Sequence, residues 1–428
     1  MANNLTIDDV SVLANAVLAD AQGITDGSTQ IDSGNFVAVA QTALKQGYDP
    51  LNTAISQVLS RTIFAERPYS AKFSGLVRDA EQWGNHVRKL NPLDKPIEKD
   101  NRFYDDLGNI LDDGDSVDMY KINKPKVLQT NFYGSDTLMK SYTVWKDQLD
   151  SCMESLGQFG SFLSMVANNN NDILTQARED LARTCVCSLI GATIFEGNAP
   201  QVVNLFEEYQ KQTGDTTTAY ADILAPANYK AFMQSAFATI KSVMDRMTER
   251  SVIYHVNPTL DALEGVQNIR RHTPLGNMHC YMQADFMNLS ETAALSNTFH
   301  DDYLKVMDYE PVTFWQTISD PYKINLKGKH YGYVGIDANG DPETNTLSDI
   351  YDFEIDTDTS EIKVIGVLFD DDALGVTRVQ QWAGATPFNV RGGYTNYYFH
   401  EQNRWYMDNS ENAVVFIMAD TAEVEPGE

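Results

Sequence analysis

From Trp145 to Ile190 apolar residues recur three and four positions apart. Trp145, Leu149, Cys152, Leu156, Phe159, Leu163, Val166 and Ile173, then Ala177, Leu181, Cys185 and Leu189, draw one stripe along a helix. No proline falls between Pro125 and Pro200. A continuous helix here spans roughly 70 Å at 1.5 Å per residue, longer than a compact domain is wide. The pattern therefore predicts a spine with smaller units on either side. Asn168 to Asn171 is its weak point, because asparagine is a poor interior helix residue. Gly157 and Gly160 loosen it too, or admit another backbone closely.

Residues 1–60 read as an arm of short amphipathic pieces. Ile7 to Leu18, Phe36 to Leu44 and Asn52 to Leu59 are each too short to stand alone, since isolated helices below ~12–15 residues are marginal. Beyond the spine, Gln201 to Gln210 continues helical, and Pro226 to Arg250 predicts a second clear helix. Its face carries Tyr229, Met233, Phe237, Ile240, Met244 and Met247. Ser251 to Val256 reads as a strand and Pro258 to Arg271 as loop or helix. His279 to Met287 predicts a buried strand leading into a helix near Ala293 to Leu295. Residues 322–370 alternate strand patterns with turns. Ile362 to Phe369 is a strand, Tyr394 to Tyr406 a long alternating one, and Asn412 to Met418 a short apolar run suited to a sheet's centre. The fold class expected is α+β, strands interrupted by helices without regular βαβ alternation.

Between the arm and the spine the pattern breaks. From Glu66 to Lys126, strand-like patches (Tyr69 to Val77, His86 to Leu90, Ser116 to Ile122) flank turns such as Asn91-Pro92 and Asp112-Asp113-Gly114-Asp115. This ribbon holds 11 basic and 12 acidic residues, whereas the whole chain of 428 residues carries 32 and 60 and a net charge of −28. So long and mixed-charge a hairpin has too little apolar mass for a core of its own. It is either a loose surface loop or an element lying on an acidic neighbour, where charge complementarity sets register. On the second reading its contact residues are Arg78, Trp83, Arg88, Lys89, Lys95, Lys99, Arg102, Lys121, Lys124 and Lys126.

Composition narrows the classes. Apolar residues make up 43% and aromatics 11%, enough for a core. The acidic excess argues against gripping nucleic acid, which requires a basic face. Cys152, Cys185, Cys187 and Cys280 have no paired spacing and read as buried free thiols in a reducing compartment. The opening MANNLTIDDV is no signal peptide, and the apolar run near Cys185 to Phe195 is far short of the ~20 residues of a membrane span.

Chemistry-bearing motifs are absent. There is no phosphate loop, dinucleotide fingerprint, G-x-S-x-G elbow or H-E-x-x-H. His272 and His279 are the nearest histidine pair, seven apart, and read as satisfied or exposed side chains. Asp356-x-Asp358-x-Ser360 and Asp337-x-Asn339-Gly340-Asp341 begin like calcium loops but lack the remaining ligands. Asp105-Asp106 and Asp112-Asp113 sit on turns where nothing raises a carboxyl pKa for acid catalysis. No catalytic, cofactor or metal residue is assigned.

Two stretches carry a resemblance: Lys121-Ile-Asn-Lys-Pro-Lys-Val127 with Asn131-Phe-Tyr-Gly134, and Val364-Ile-Gly-Val-Leu-Phe-Asp-Asp-Asp-Ala-Leu-Gly375 ahead of Gly392-Gly-Tyr394. With the order arm, hairpin, spine, α+β body and closing strands, they resemble the major capsid protein of tailed bacteriophages, of a lineage found in low-GC Gram-positive hosts. The resemblance implies the Hong Kong 97-like capsid fold. Residues 1–60 become the N-terminal arm, 61–135 the extended loop, 136–205 the peripheral domain with the spine, 206–330 the axial domain, and 331–428 strands returning through both. It further implies hexamers and pentamers of an icosahedral or prolate head enclosing double-stranded DNA without binding it specifically. A portal protein and, because the arm is short, a separate scaffolding protein are expected partners. The place is the virion, assembled in the host cytoplasm, with no membrane. Some relatives crosslink through a Lys–Asn isopeptide bond; the ribbon offers Lys89, Lys95 and Lys99, without an identifiable partner. The alternatives are an encapsulin-like compartment, a tail or baseplate component, and a hydrolase using acidic residues.

Overall fold

The 41 residues from Leu156 to Glu196 form one α-helix in the computed structural model, which describes residues 72–79, 87–93, 110–114, 120, 126–132, 134–153, 156–196, 200–256, 269–295, 309–330, 351–356 and 362–420. The asparagine run Asn168–Asn171 lies inside it unbroken. The rod starts later than the stripe predicts. Trp145 ends strand Ser135–Trp145, and a separate short helix, Lys146–Cys152, comes next. Trp145 is half exposed there, so the spacing that joins it to the stripe marks neither a helix nor a buried position. Towards its C-terminal end the helix is buried nearly all round: Ala182, Cys185, Val186, Cys187, Leu189 and Ile190 are all inaccessible. Burial pushes the thiols of Cys185 and Cys187 up to about 12.

Among the described residues the strands, in chain order, are β1 Val77–Asp79, β2 Val87–Leu93, β3 Lys126–Phe132, β4 Ser135–Trp145, β5 Val202–Asn204, β6 Met278–Gln283, β7 Glu310–Val312, β8 Asn325–His330, β9 Tyr351–Asp356, β10 Lys363–Asp370, β11 Leu374–Ala385, β12 Tyr394–Met407 and β13 Ala413–Met418. The helices are α1 Lys146–Cys152, α2 Leu156–Glu196, α3 Leu205–Thr213, α4 Tyr229–Met247 and α5 Ala284–Leu295. This is the α+β class. The chain separates into two units, one made of Met1–Asn85, Tyr133–Ala182 and Gly375–Trp405, the other of His86–Phe132, Arg183–Leu374 and Tyr406–Glu428.

In the first unit the sheet order is β1-β11-β12-β4, with β12 antiparallel to β4 over eleven residue pairs from Tyr394↔Trp145 to Arg404↔Ser135. Strand β12 alternates as its sequence predicts: Thr395, Tyr397, Phe399, Glu401 and Asn403 point inward. Inward-facing Glu401 is fully buried; Arg178 of α2 meets it at 2.8 Å and Asn403 donates to it at 3.0 Å. Gly134, in the motif Asn131-Phe-Tyr-Gly134, lets Trp405 close in. A Cβ at Gly134 would lie 2.8 Å from the indole ring.

In the second unit the order is β5-β13-β10-β6-β7. Strand β13 is buried at every position and sits between β5 and β10, the central place its apolar run predicts. On one face Phe206 and Tyr209 of α3, Phe232, Met233, Ile240 and Met244 of α4, and Phe286 of α5 pack with Leu368, Val414, Phe416 and Met418. Helix α4 spans less than the predicted Pro226 to Arg250 but buries Met233, Ile240, Met244 and Met247 of the predicted face. Trp315 is fully buried, its indole N–H donating to the Val364 carbonyl at 2.9 Å. The ladder from β10 to β13 slips between Val364 and Gly366. A Cβ on Gly366 would run into the Met282 sulfur and the Tyr281 carbonyl, so the bulge depends on a bare backbone.

Some local readings differ. Ser251 to Val256 is no strand; Ser251 makes a single bridge to Arg271. In the ribbon β2 pairs with β3; of the predicted patch Ser116 to Ile122 only Tyr120 is described, in a turn, and the rest lies outside the described residues. The arm pieces up to residue 60, residues 257–268, the turn Ala338 to Asp341 and the tail after residue 420 lie outside the described residues.

Candidate inter-subunit surface at the ribbon root

Strands β2 and β3 pair antiparallel, Val87↔Phe132 through Leu93↔Lys126, and no third strand joins them among the described residues. A lone two-stranded ladder is marginal in water. Side chains must therefore hold it. Strand alternation puts Lys89 and Asn91 on one face, where Asn91 is buried, and Arg88 and Leu90 on the other, where both are exposed.

The inward face meets the turn between β12 and β13. The Lys89 ammonium donates to Asp408 Oδ2 at 2.9 Å and to the Asp372 carbonyl at 3.3 Å, and it pairs with Glu411. Arg271 closes the other side. Its Nη1 lies 2.8 Å from Glu411 Oε1 and donates to Asn91 Oδ1 at 3.3 Å; its Nε donates to the Ser410 carbonyl at 3.0 Å. Phe132 of β3 packs on Tyr406, ring centres 5.5 Å apart. The receiving turn is itself braced. Asp408 N–H donates to the Ala373 carbonyl at 2.7 Å, Ser410 N–H to Asp408 Oδ1 at 2.9 Å, and Val256 N–H to the Asn409 carbonyl at 3.0 Å.

Two cations thus face two carboxylates. Lys89 retains 18% of its side-chain surface and Glu411 7%, so these charges are mostly out of water. Burial raises the Glu411 carboxyl above the usual carboxylate range, with Asp408 adding to the rise; the Lys89 and Arg271 charges oppose it. Such a cluster is neutral as a whole and least tolerant of losing a cation, which leaves two carboxylates sharing the other.

Of the ribbon residues picked out from sequence, Lys89 is committed to carboxylates of its own chain and Arg88 is exposed on β2. Arg78 stands opposite Thr377 on β1, and Lys126 opposite Leu93 on β3. Trp83, Lys95, Lys99, Arg102, Lys121 and Lys124 lie outside the described residues. Sequence reasoning missed Arg271, Asp408 and Glu411. They sit 182 to 322 positions from Lys89, and nothing local in Asp408-Asn-Ser-Glu411 marks it as a socket. His279 pairs with Asp371 at 2.9 Å instead of joining His272. Among the described residues no group of three or more His, Cys, Asp or Glu is placed to hold a metal, and no helix is long and apolar enough to cross a membrane.

The geometry is that of a structural element with a buried root and an exposed outer face. Comparison with protein families gives a match to the Phi29-like phage major capsid protein over residues 13–417. The chain belongs to that family. This capsid protein is a structural shell protein and a component of the virion, it assembles into a multimeric shell, and its α+β fold is Hong Kong 97-like. The compartment, tail-component and hydrolase readings are not favoured. No curated protein matches it. Similar solved structures include the capsid of Staphylococcus phage Andhra (12% identity, 84% of this chain and 87% of that one, TM-score 0.49). The capsid of Cyanophage P-SCSP1u is another (12%, 84% and 92%, TM-score 0.42). So is the head of Helicobacter pylori bacteriophage KHP40 (10%, 84% and 93%, TM-score 0.42). The family match carries the assignment.

Proposed function

We propose that this capsid protein forms the hexamers and pentamers of an icosahedral or prolate head, and that its ribbon, within residues 61–135, lies on an adjacent copy. The carrying observation is the exposure of large apolar side chains on the ribbon: Leu90 at 52%, Ile110 at 77% and Tyr120 at 79%. Water-facing apolar groups on an element with so little mass are stabilised when another surface covers them. The ribbon's near-neutral charge against a chain of −28 supports an acidic neighbour as that surface, with Arg88, Arg78, Trp83, Lys95, Lys99, Arg102, Lys121, Lys124 and Lys126 as contacts.

On this reading residues 1–60 are an arm, 136–205 the peripheral domain, 206–330 the axial domain, and 331–428 the strands returning through both. A portal and a separate scaffolding protein complete assembly in the host cytoplasm. Double-stranded DNA is enclosed without being gripped, since the acidic excess repels phosphate. The role is structural and not enzymatic.

Electron microscopy of the purified full chain, alone and with Ile110→Asp, tests the reading. Shell-like assemblies of mixed size from the unmodified chain, which lacks its proposed scaffolding protein, and dispersed, folded subunits from the variant are expected. Compact subunits that never associate, or a variant that assembles normally, would overturn it.

A further inference from the structure

We propose that Lys89 is a positioning residue: by seating in the socket formed by Asp408, Glu411 and Arg271, it fixes the direction in which the ribbon leaves its own subunit before any neighbour is met. Four features of the structure converge. The β2–β3 ladder has no third strand among the described residues, so backbone pairing does not attach it to the body. The bonds from β2 to the body that set its orientation converge on Lys89 and Asn91, which alternate onto one face. The socket is rigid, because its turn is tied by backbone hydrogen bonds to Ala373 and Val256, and because Arg271 exchanges two backbone bonds with Ser251 at 2.8 and 2.9 Å. Finally, the charges balance, two against two, and are largely desolvated.

An apolar contact tolerates sliding along the strand, whereas a buried cation between two carboxylates does not. A slip of one residue would turn Lys89 to the solvent face and leave both acids with Arg271 alone. The cluster thus selects one register and one angle, the role for which buried charges are best attested. The last step, that a preset ribbon speeds docking on the next copy, rests on the reading of function above. The seating itself does not.

Hydrogen exchange read by mass spectrometry on the dilute, unassembled full chain tests the seating. In the unmodified protein the amides of Val87–Leu93 and Lys126–Phe132 should exchange roughly a hundredfold more slowly than those of 110–114 in the same ribbon. With Lys89→Met the root strands should speed up roughly tenfold or more while β13 changes less than about twofold, and Lys89→Arg should restore most of the protection. Equal rates at root and 110–114 in the unmodified chain overturn the proposal whether or not the variant folds. So do unchanged root rates in Lys89→Met, or a matching rise in β13. In shells, Lys89→Met should give irregular or fewer particles. Failure of the unmodified chain to form shells counts against the proposed function and leaves the hydrogen-exchange result to decide the seating.

Discussion

Strand β13 and strand β2 are both short, yet they are held in opposite ways. β13 is buried at all six positions between two neighbouring strands, with Phe416 inside the helix-covered core and Val415 and Ile417 equally inaccessible. Among the described residues β2 has one neighbouring strand, an exposed Arg88 and Leu90, and an inward face whose grip on the body is ionic. Apolar burial is non-directional and sums with area, so β13 stabilises the body strongly without dictating fine geometry. Buried charge adds little net stability but punishes every wrong placement. The body is therefore built for strength and the ribbon root for aim, a division that suits the proposed contact of the ribbon with a neighbouring copy.

The comparison can be broken most forcefully at β13. Phe416→Ala removes a fully buried ring and should destabilise the second unit by ~3–5 kcal/mol, read as a shift of the chemical denaturation midpoint. A loss below about 1 kcal/mol would mean that the sheet is not the load-carrying layer.

Next in size is Lys89→Met, which leaves Asp408 and Glu411 sharing Arg271. Because Lys89 keeps some contact with water, the cost should be about 1–3 kcal/mol, less than the figure for a fully buried pair. It should appear as local opening before global unfolding.

Glu411→Gln should be milder, within about 1 kcal/mol, because Lys89 retains Asp408 and Arg271 retains the Ser410 carbonyl. Its signature is in pH. Glu411's carboxyl is raised in the folded chain, so over a window above its ordinary value the folded state holds a proton that the unfolded state has released. Its contribution is fully present below that ordinary value and falls as pH rises through the raised one. The stability difference favouring the natural residue over glutamine should accordingly shrink with rising pH; a difference that grows would contradict the assignment.

Smallest is Lys211→Ala on α3, where the partners Glu207 and Glu208 are largely in water. It should change stability by no more than about 0.5 kcal/mol, and by less in high salt. A larger effect would erase the distinction between seated and surface charge on which the comparison depends.

What could be read from the sequence follows the same division. The period-two alternation of Tyr394 to Tyr406, the apolar run of β13 and the amphipathic face of α4 are local signals of burial, and each appears where its pattern predicts. The spine was legible too, but not its start: Trp145 fits the helical stripe by spacing alone, while in the fold it ends β4 half exposed to water. Strands β4 and β11 were not anticipated; β4 alternates in exposure from Thr137 to Trp145, but Lys140 takes an inward place while Met139 and Trp145 face out, so no apolar period marks it. The root socket was beyond reach for a different reason. Lys89 and Glu411 are ordinary charged residues until the chain brings them together, and no local period marks such a pair.

The most direct measurement is a reconstruction of shells assembled from the full chain, at a resolution that traces the ribbon. The account predicts residues 94–125 lying on an adjacent copy while Lys89 stays in the Asp408–Glu411 socket of its own. A ribbon folded back on its own subunit, or a Lys89 that leaves its socket to pair with the neighbour, would contradict it.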